Sequence, residues 1–179
     1  EAETGEKVDW RQCGTLYVAR NEERMYQYRR TGAMAQHLGI DVEIVSAQRA
    51  VELFPLQSPD GLVGGLHIPD DGKVEPAGLA RALAKGAEQH GATICEEARV
   101  TGLRFADGRA AGVVLADGTE IEAEEVVLAG GMWTRDLARE HGIHVPLAPV
   151  EHHYVDSNPI DGDIDMYPCT RDADGCTYY

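Results

Sequence analysis

Two Asp-Gly dipeptides, Asp107-Gly108 and Asp117-Gly118, constrain this chain more than any other feature. Asp-Gly favours a tight hairpin turn, because both residues tolerate positive φ. The two turns divide the surrounding sequence into three short strands, Ala98–Phe105, Arg109–Leu115 and Thr119–Ala123. Three strands joined by two hairpins make an antiparallel meander. Whatever else the chain forms must be arranged around it.

The flanking sequence reads as alternating helices and strands. Pro76 suits the first turn of a helix running to about His90, with Leu79, Ala82, Leu83 and Ala87 on one face and Gly91 as the left-handed stop. Thr93-Ile94-Cys95 then reads as a strand, giving half of a βαβ unit. After the meander, Glu125-Val126-Val127-Leu128-Ala129 reads as a parallel strand buried on both faces. It leads into Gly130-Gly131-Met132 and a helix from about Trp133 to Glu140.

The first part of the chain predicts a strand over Trp10–Ala19 and a helix from an Asn21 cap to about Leu38, stopped by Gly39. A short strand follows at Val42–Val45, then a helix from a Ser46 cap to Phe54, ended by Pro55. Gly61–Ile68 reads as a buried strand whose glycines let the backbone pass close to something. Near the far end, Val150–Val155 reads as a strand, Ser157–Pro168 as a loop and Asp172–Gly175 as a turn. Cys176–Tyr179 reads as the start of a last strand. The missing initiator Met and the strand broken off at Tyr179 are expected to be cuts from a longer protein. The fold class expected is mixed α/β.

Charge narrows the function. Sixteen Lys and Arg stand against 31 Asp and Glu, for a net charge of −15. Nucleic-acid binding needs a basic footprint, and anionic membranes repel such a surface, so neither partner is expected. No apolar run approaches the length of a membrane span. Four cysteines, Cys13, Cys95, Cys169 and Cys176, form no C-x-x-C pair. They read as reduced thiols of a cytoplasmic protein, although Cys169 and Cys176 could bridge across a short loop.

Several residues could carry chemistry, each beside a plainer reading. Ala129-Gly130-Gly131 lies between a buried strand and a helix, where glycines let a ligand approach the backbone; many proteins turn there only for packing. No G-x-G-x-x-G dinucleotide fingerprint occurs. In Glu151-His152-His153-Tyr154 the two histidines would face opposite sides of a strand, which disfavours a metal clamp. Either could move a proton near neutral pH, or be an ordinary satisfied histidine. Asp161–Met166 lacks the glycine and closing Glu of a calcium loop and reads as a solvated acidic loop, so no metal site is expected. No G-x-S-x-G, H-E-x-x-H or P-loop is present.

The order of several segments carries a resemblance. These are W-R-Q-C-G-T-L-Y-V-A-R-N (Trp10–Asn21), G-G-L-H-I-P-D-D-G-K-V-E-P (Gly64–Pro76) and G-A-T-I-C-E-E-A-R-V-T-G (Gly91–Gly102). They continue with E-E-V-V-L-A-G-G-M-W-T-R-D-L (Glu124–Leu137), V-P-L-A-P-V-E-H-H-Y (Val145–Tyr154) and the final T-Y-Y. In this order the chain resembles the flavin amine oxidoreductases of the D-amino-acid-oxidase superfamily, with dimethylglycine and sarcosine dehydrogenases or oxidases the nearest group.

The resemblance implies residues 1–73 as part of an antiparallel-sheet substrate domain and 74–146 as the second half of an FAD-binding Rossmann-like domain. Residues 147–179 would return to the substrate domain. It implies FAD as the cofactor of the parent protein and a small amine as substrate, with oxygen or an electron-transfer flavoprotein as acceptor. It matches Val100 to the backbone position meeting the adenine. Ala129, Gly130 and Gly131 match the loop beside the pyrophosphate and ribose, and Met132 and Trp133 its continuation toward the flavin. His152 matches an active-site histidine near the substrate amine, and Tyr178 an active-site tyrosine; His153 stands where the family often has Gln. The FAD fingerprint would lie upstream. The competing reading is a non-catalytic binding module that keeps the fold without flavin. Exposed sheet edges would favour self-association.

Overall fold

The structure, a computed structural model, describes residues 2–162 and 164–179. It divides into two compact units: the chain up to Ala92 together with Ser157–Tyr179, and Thr93–Asp156.

The first unit is built on a five-stranded mixed sheet. Its strands are β1 (Thr15–Ala19), β2 (Glu43–Ser46), β3 (Gly64–Ile68), β7 (Cys169–Asp172) and β8 (Thr177–Tyr178), in the order β2-β3-β1-β7-β8. β3 runs antiparallel to β1 and β2, and β7 runs parallel to β1. Alternation along β1 sends its side chains to two faces. Leu16 and Val18 pack with Val45, Ala50 and Phe54 on one face; Ala19 packs with Met25, Tyr28, Val42 and Leu66 on the other. Helices α1 (Glu22–His37) and α2 (Ala47–Leu53) supply the covering residues on opposite sides.

The caps fall where the sequence predicts. The Asn21 side chain accepts from the Arg24 N–H at 2.8 Å, and Ser46 Oγ from the Arg49 N–H at 3.1 Å. Helix α3 (Pro76–Gln89) has proline in its first turn and a Glu75 side chain accepting from the Ala77 and Gly78 N–H groups. The glycines of β3 answer to neighbouring strands. A side chain at Gly64 would sit 2.6 Å from the Val45 carbonyl, and one at Gly65 would strike the Tyr17 carbonyl. The close approach read from Gly61–Ile68 is therefore sheet packing.

β7 falls just after the predicted loop ends at Pro168 and runs into the first residue of the predicted turn, Asp172. Its residues, C-T-R-D, have no apolar alternation, yet Thr170 is fully buried and Asp172 nearly so. Asp172 accepts from the Arg20 guanidinium at 2.5 Å and from the Gly175 N–H at 2.8 Å. Arg24 pairs with Asp174 at 3.0 Å in the same turn. A strand made by ion pairs and a parallel ladder leaves no hydrophobic period to read.

The second unit contains the expected meander, β4 (Val100–Ala106), β5 (Arg109–Leu115) and β6 (Glu120–Glu122). The two Asp-Gly pairs make different turns. Asp107 and Gly108 both have positive φ, 50° and 77°, as a two-residue hairpin loop requires. At the second turn only Gly118 is left-handed, at 85°, after the Gly118 N–H returns to the Leu115 carbonyl at 3.0 Å. That is a three-residue loop, and the Asp117 side chain accepts from the Thr119 N–H at 2.9 Å. The last helix, α4 (Thr134–Arg139), follows a single 3-10 turn at Gly131–Trp133.

Three expected strands do not form. Thr93–Cys95, Glu125–Ala129 and Val150–Val155 run without ladder partners among the described residues. A strand is defined by its neighbours' hydrogen bonds, and composition alone does not supply them. Nor is there half of a βαβ unit after α3. The start of the Trp10–Ala19 segment is held only by a bridge from Arg11 to Lys73, and the strand begins at Thr15. Asp163 of the acidic loop lies outside the described residues. Asp165 of that loop pairs with Arg11, and no group of potential metal ligands occurs among the described residues. No described helix is long and apolar enough to cross a membrane.

Candidate functional site

The meander and α4 enclose an apolar hollow of about 340 Å³. Val100 and Val113 reach it from β4 and β5, and Thr134 and Leu137 from α4. The segment Val126–Gly130 and Trp133 complete the lining. Although Glu125–Ala129 is no strand, it keeps an extended alternation. Val126 and Leu128 are half-buried, while Val127 is 85% exposed.

Four residues matched to FAD by the resemblance, Val100, Ala129, Gly130 and Trp133, thus line one hollow. Gly131 and Met132 stand beside it in the 3-10 turn without lining it. Gly131 is left-handed at φ 56°, and that position favours glycine. Gly130 has an ordinary φ of −81°, and a side chain there would meet Thr134 Oγ1 at 3.3 Å. Its smallness matters for space, whereas that of Gly131 matters for backbone shape. Val113, Val126, Leu128, Thr134 and Leu137 were not singled out from sequence. The period-two pattern of Val126 and Leu128 was the signal for two of them.

The chemistry available in the hollow is apolar. Its lining carries no ionisable side chain. Such a surface can pack against the face of an apolar ring, and it cannot move a proton. Nearby, His141 fastens α4's end to the sheet. Its Nε2 accepts from the Leu103 N–H at 2.8 Å, and its ring lies 5.5 Å from that of Phe105.

The two residues matched to catalysis lie in different units, His152 in the second and Tyr178 in the first. His152 is exposed in an extended segment and not on the expected strand. Its neighbour His153 lies 3.9 Å from Glu151. Tyr178 is on β8, half exposed, with the Arg171 guanidinium 5.9 Å from its ring centre.

Comparison with known proteins places this arrangement in a class. Residues 1–179 match the family of FAD dependent oxidoreductases, and the chain belongs to that family. It is 36% identical over 183 residues to human mitochondrial sarcosine dehydrogenase, covering 99% of this chain and 20% of that protein. It is likewise 36% identical to 4-methylaminobutanoate oxidase (formaldehyde-forming) of Paenarthrobacter nicotinovorans, covering 99% of this chain and 22% of that protein. The chain thus spans about a fifth of the length of these relatives. Among solved structures, L-proline dehydrogenase from P. horikoshii superposes with a TM-score of 0.77 at 20% identity, over 99% of this chain and 47% of that one. That likeness is one of fold.

Proposed function

We propose that this chain serves as part of an FAD-dependent amine oxidoreductase that oxidises the carbon–nitrogen bond of a small N-methylated amino acid of the sarcosine or dimethylglycine type. The observation that carries the reading is the similarity, extending over 99% of the chain, to two enzymes named for N-methylated substrates. The hollow supports it. Its size and apolar lining suit one flat ring of the cofactor, and the space beside Gly131 is open. They do not suit a whole dinucleotide.

In this reading Val100, Val113, Val126 and Leu137 hold the ring and keep water from it, while Ala129 and Gly130 border the chain leading away from it. Gly131 shapes the turn, and Met132 and Trp133 continue toward the reacting end. FAD, when bound, supplies the hydride acceptor. His152 would take or relay the proton of the substrate ammonium, and the Tyr178 hydroxyl would hold a polar group of the substrate. The electron acceptor of the whole protein would be oxygen or another flavoprotein.

Titration of the chain with FAD, followed by flavin-fluorescence quenching, tests the ring site. Saturable binding is expected, lost in Gly130→Val with circular dichroism unchanged, and much weaker for FMN, which lacks the adenine. A flat FAD titration of the folded chain, or equal binding of FMN, would remove the hollow from the reading. The catalytic assignment is tested in the longer protein. His152→Ala is expected to lower kcat for N-methylated amino acids and alter its pH profile, leaving the flavin bound.

A further inference from the structure

Cys13 and Cys169 are distant in sequence, but Cys13 lies two residues before Thr15, the β1 residue paired with Cys169. Cys169 opens β7 and pairs in parallel register with Thr15 of β1. Its N–H donates to the Gly14 carbonyl at 3.1 Å. Gly14 directly follows Cys13, and the Cys13 thiol turns toward that same carbonyl, 3.7 Å away. Both thiols are half-buried. Burial pushes the Cys169 thiol up, and the Cys13 thiol adds to this through its charge and through a hydrogen bond between the two side chains. The Gly14 carbonyl thus brings the Cys169 backbone and the Cys13 thiol to one point at the start of the β1–β7 ladder. The bridge from Cys169 to Cys176 considered from sequence does not form. In the β7–β8 hairpin Arg171 faces Tyr178 and Asp172 faces Thr177, and both cysteines are free.

We propose that Cys13 and Cys169 are a reversible disulfide site which, on oxidation by a peroxide, staples the β7–β8 hairpin to β1. The Cys13 thiolate attacks the peroxide oxygen, giving a sulfenic acid and releasing hydroxide. The Cys169 sulfur then displaces the sulfenic oxygen as water, forming the S–S bond. The two thiols lose two electrons and two protons, and one peroxide becomes two waters. A dithiol reverses the step by exchange.

The staple acts at a narrow join. β1 is the only strand connecting β7 and β8 to the rest of the described sheet, through four paired positions from Thr15 to Val18. The crosslink closes a loop spanning most of the chain, which restricts the unfolded ensemble. It also fixes the hairpin that bears Tyr178. The proposal rests on the β1–β7 register and the Gly14 carbonyl that both cysteines contact, and it stands whether or not the flavin reading does.

The test treats the reduced 179-residue chain with hydrogen peroxide, blocks remaining thiols with iodoacetamide and maps peptides without reduction. A linked Cys13–Cys169 peptide is expected, reversed by dithiothreitol, with the exposed Cys95 and Cys176 alkylated. The urea midpoint of the oxidised chain should lie above that of the reduced chain. Cys13→Ser and Cys169→Ser should each abolish both the peptide and the shift. The double variant Cys95→Ser/Cys176→Ser should keep both. Links only through Cys95 or Cys176, links only between chains, or a linked peptide with no change of midpoint would overturn the proposal.

Discussion

The two units of this chain are stabilised in different ways. The first has a sheet buried on both faces, with Leu16, Val18, Ala19 and Leu66 at 2% exposure or less. Its one weakly patterned strand, β7, is fastened by the Arg20–Asp172 and Arg24–Asp174 pairs. The second has a hydrogen-bonded meander, but its buried apolar residues are few, Leu103 and Ala138. Val127, Trp133, Val150, Tyr154 and Val155 are all 70% exposed or more. Backbone ladders can thus be complete where the side-chain core is thin. The first unit should unfold as a cooperative block, and the second should open locally at lower cost.

The largest effect that would break this contrast is expected at Leu16. Leu16→Ala removes a side chain with no exposure and should lower unfolding free energy by about 3–4 kcal/mol. Urea denaturation measures it, and a cost under about 1 kcal/mol would mean the first unit is not the cohesive one.

Asp172→Ala comes next. It leaves the Gly175 N–H and the Arg20 Nε–H without their acceptor, and the expected loss is about 2–3 kcal/mol because Arg20 is partly hydrated and keeps the Asp60 carbonyl. Asp172→Asn should recover part of it by keeping the Gly175 contact.

In the second unit, His141→Ala removes the acceptor of the Leu103 N–H and the contact with Phe105, at a cost of about 1–2 kcal/mol. Hydrogen exchange is the sharper readout. Amides of β4 and β5 should exchange faster while those of β1 and β3 stay unchanged. Equal acceleration in both units would merge them into one cooperative block.

The smallest expected effect is a pH dependence. The Arg24 hydrogen bond, more than any other cause, holds the Asp174 carboxyl below its ordinary value of 3.8. A lowered folded-state pKa gives stability that is present above the unfolded value and lost as pH falls through the folded one. Asp174→Asn should therefore be less stable than the parent chain at pH 6, and the gap should close below about pH 4. A gap that persists at pH 2 would assign the loss to packing.

Elements whose signals are local were legible in the sequence. Asn21 and Ser46 announced their helices through a side-chain oxygen that satisfies an orphan N–H. The Asp-Gly pairs announced the meander. Elements that depend on distant partners were misread in both directions. Glu125–Ala129 looks like a strand and has no ladder, whereas Cys169–Asp172 does not look like one and pairs with β1. The same division runs through the candidate site. Val100 and the Ala129–Gly131 loop could be named from motif order, but Val113 and Leu137 join the hollow only through the folding of β5 and α4 against it.

The sequence by itself determined the helix starts, the turn positions, the family resemblance and the acidic character that argues against a nucleic-acid partner. Caps and turns are encoded within a few residues of one another, and motif order is read directly along the chain. Only the tertiary structure decided which apolar run became a strand, that β3's glycines serve sheet packing, and that Cys169 pairs beside Gly14. Each of these is a contact between segments distant along the chain, and its energy exists only once both are brought together.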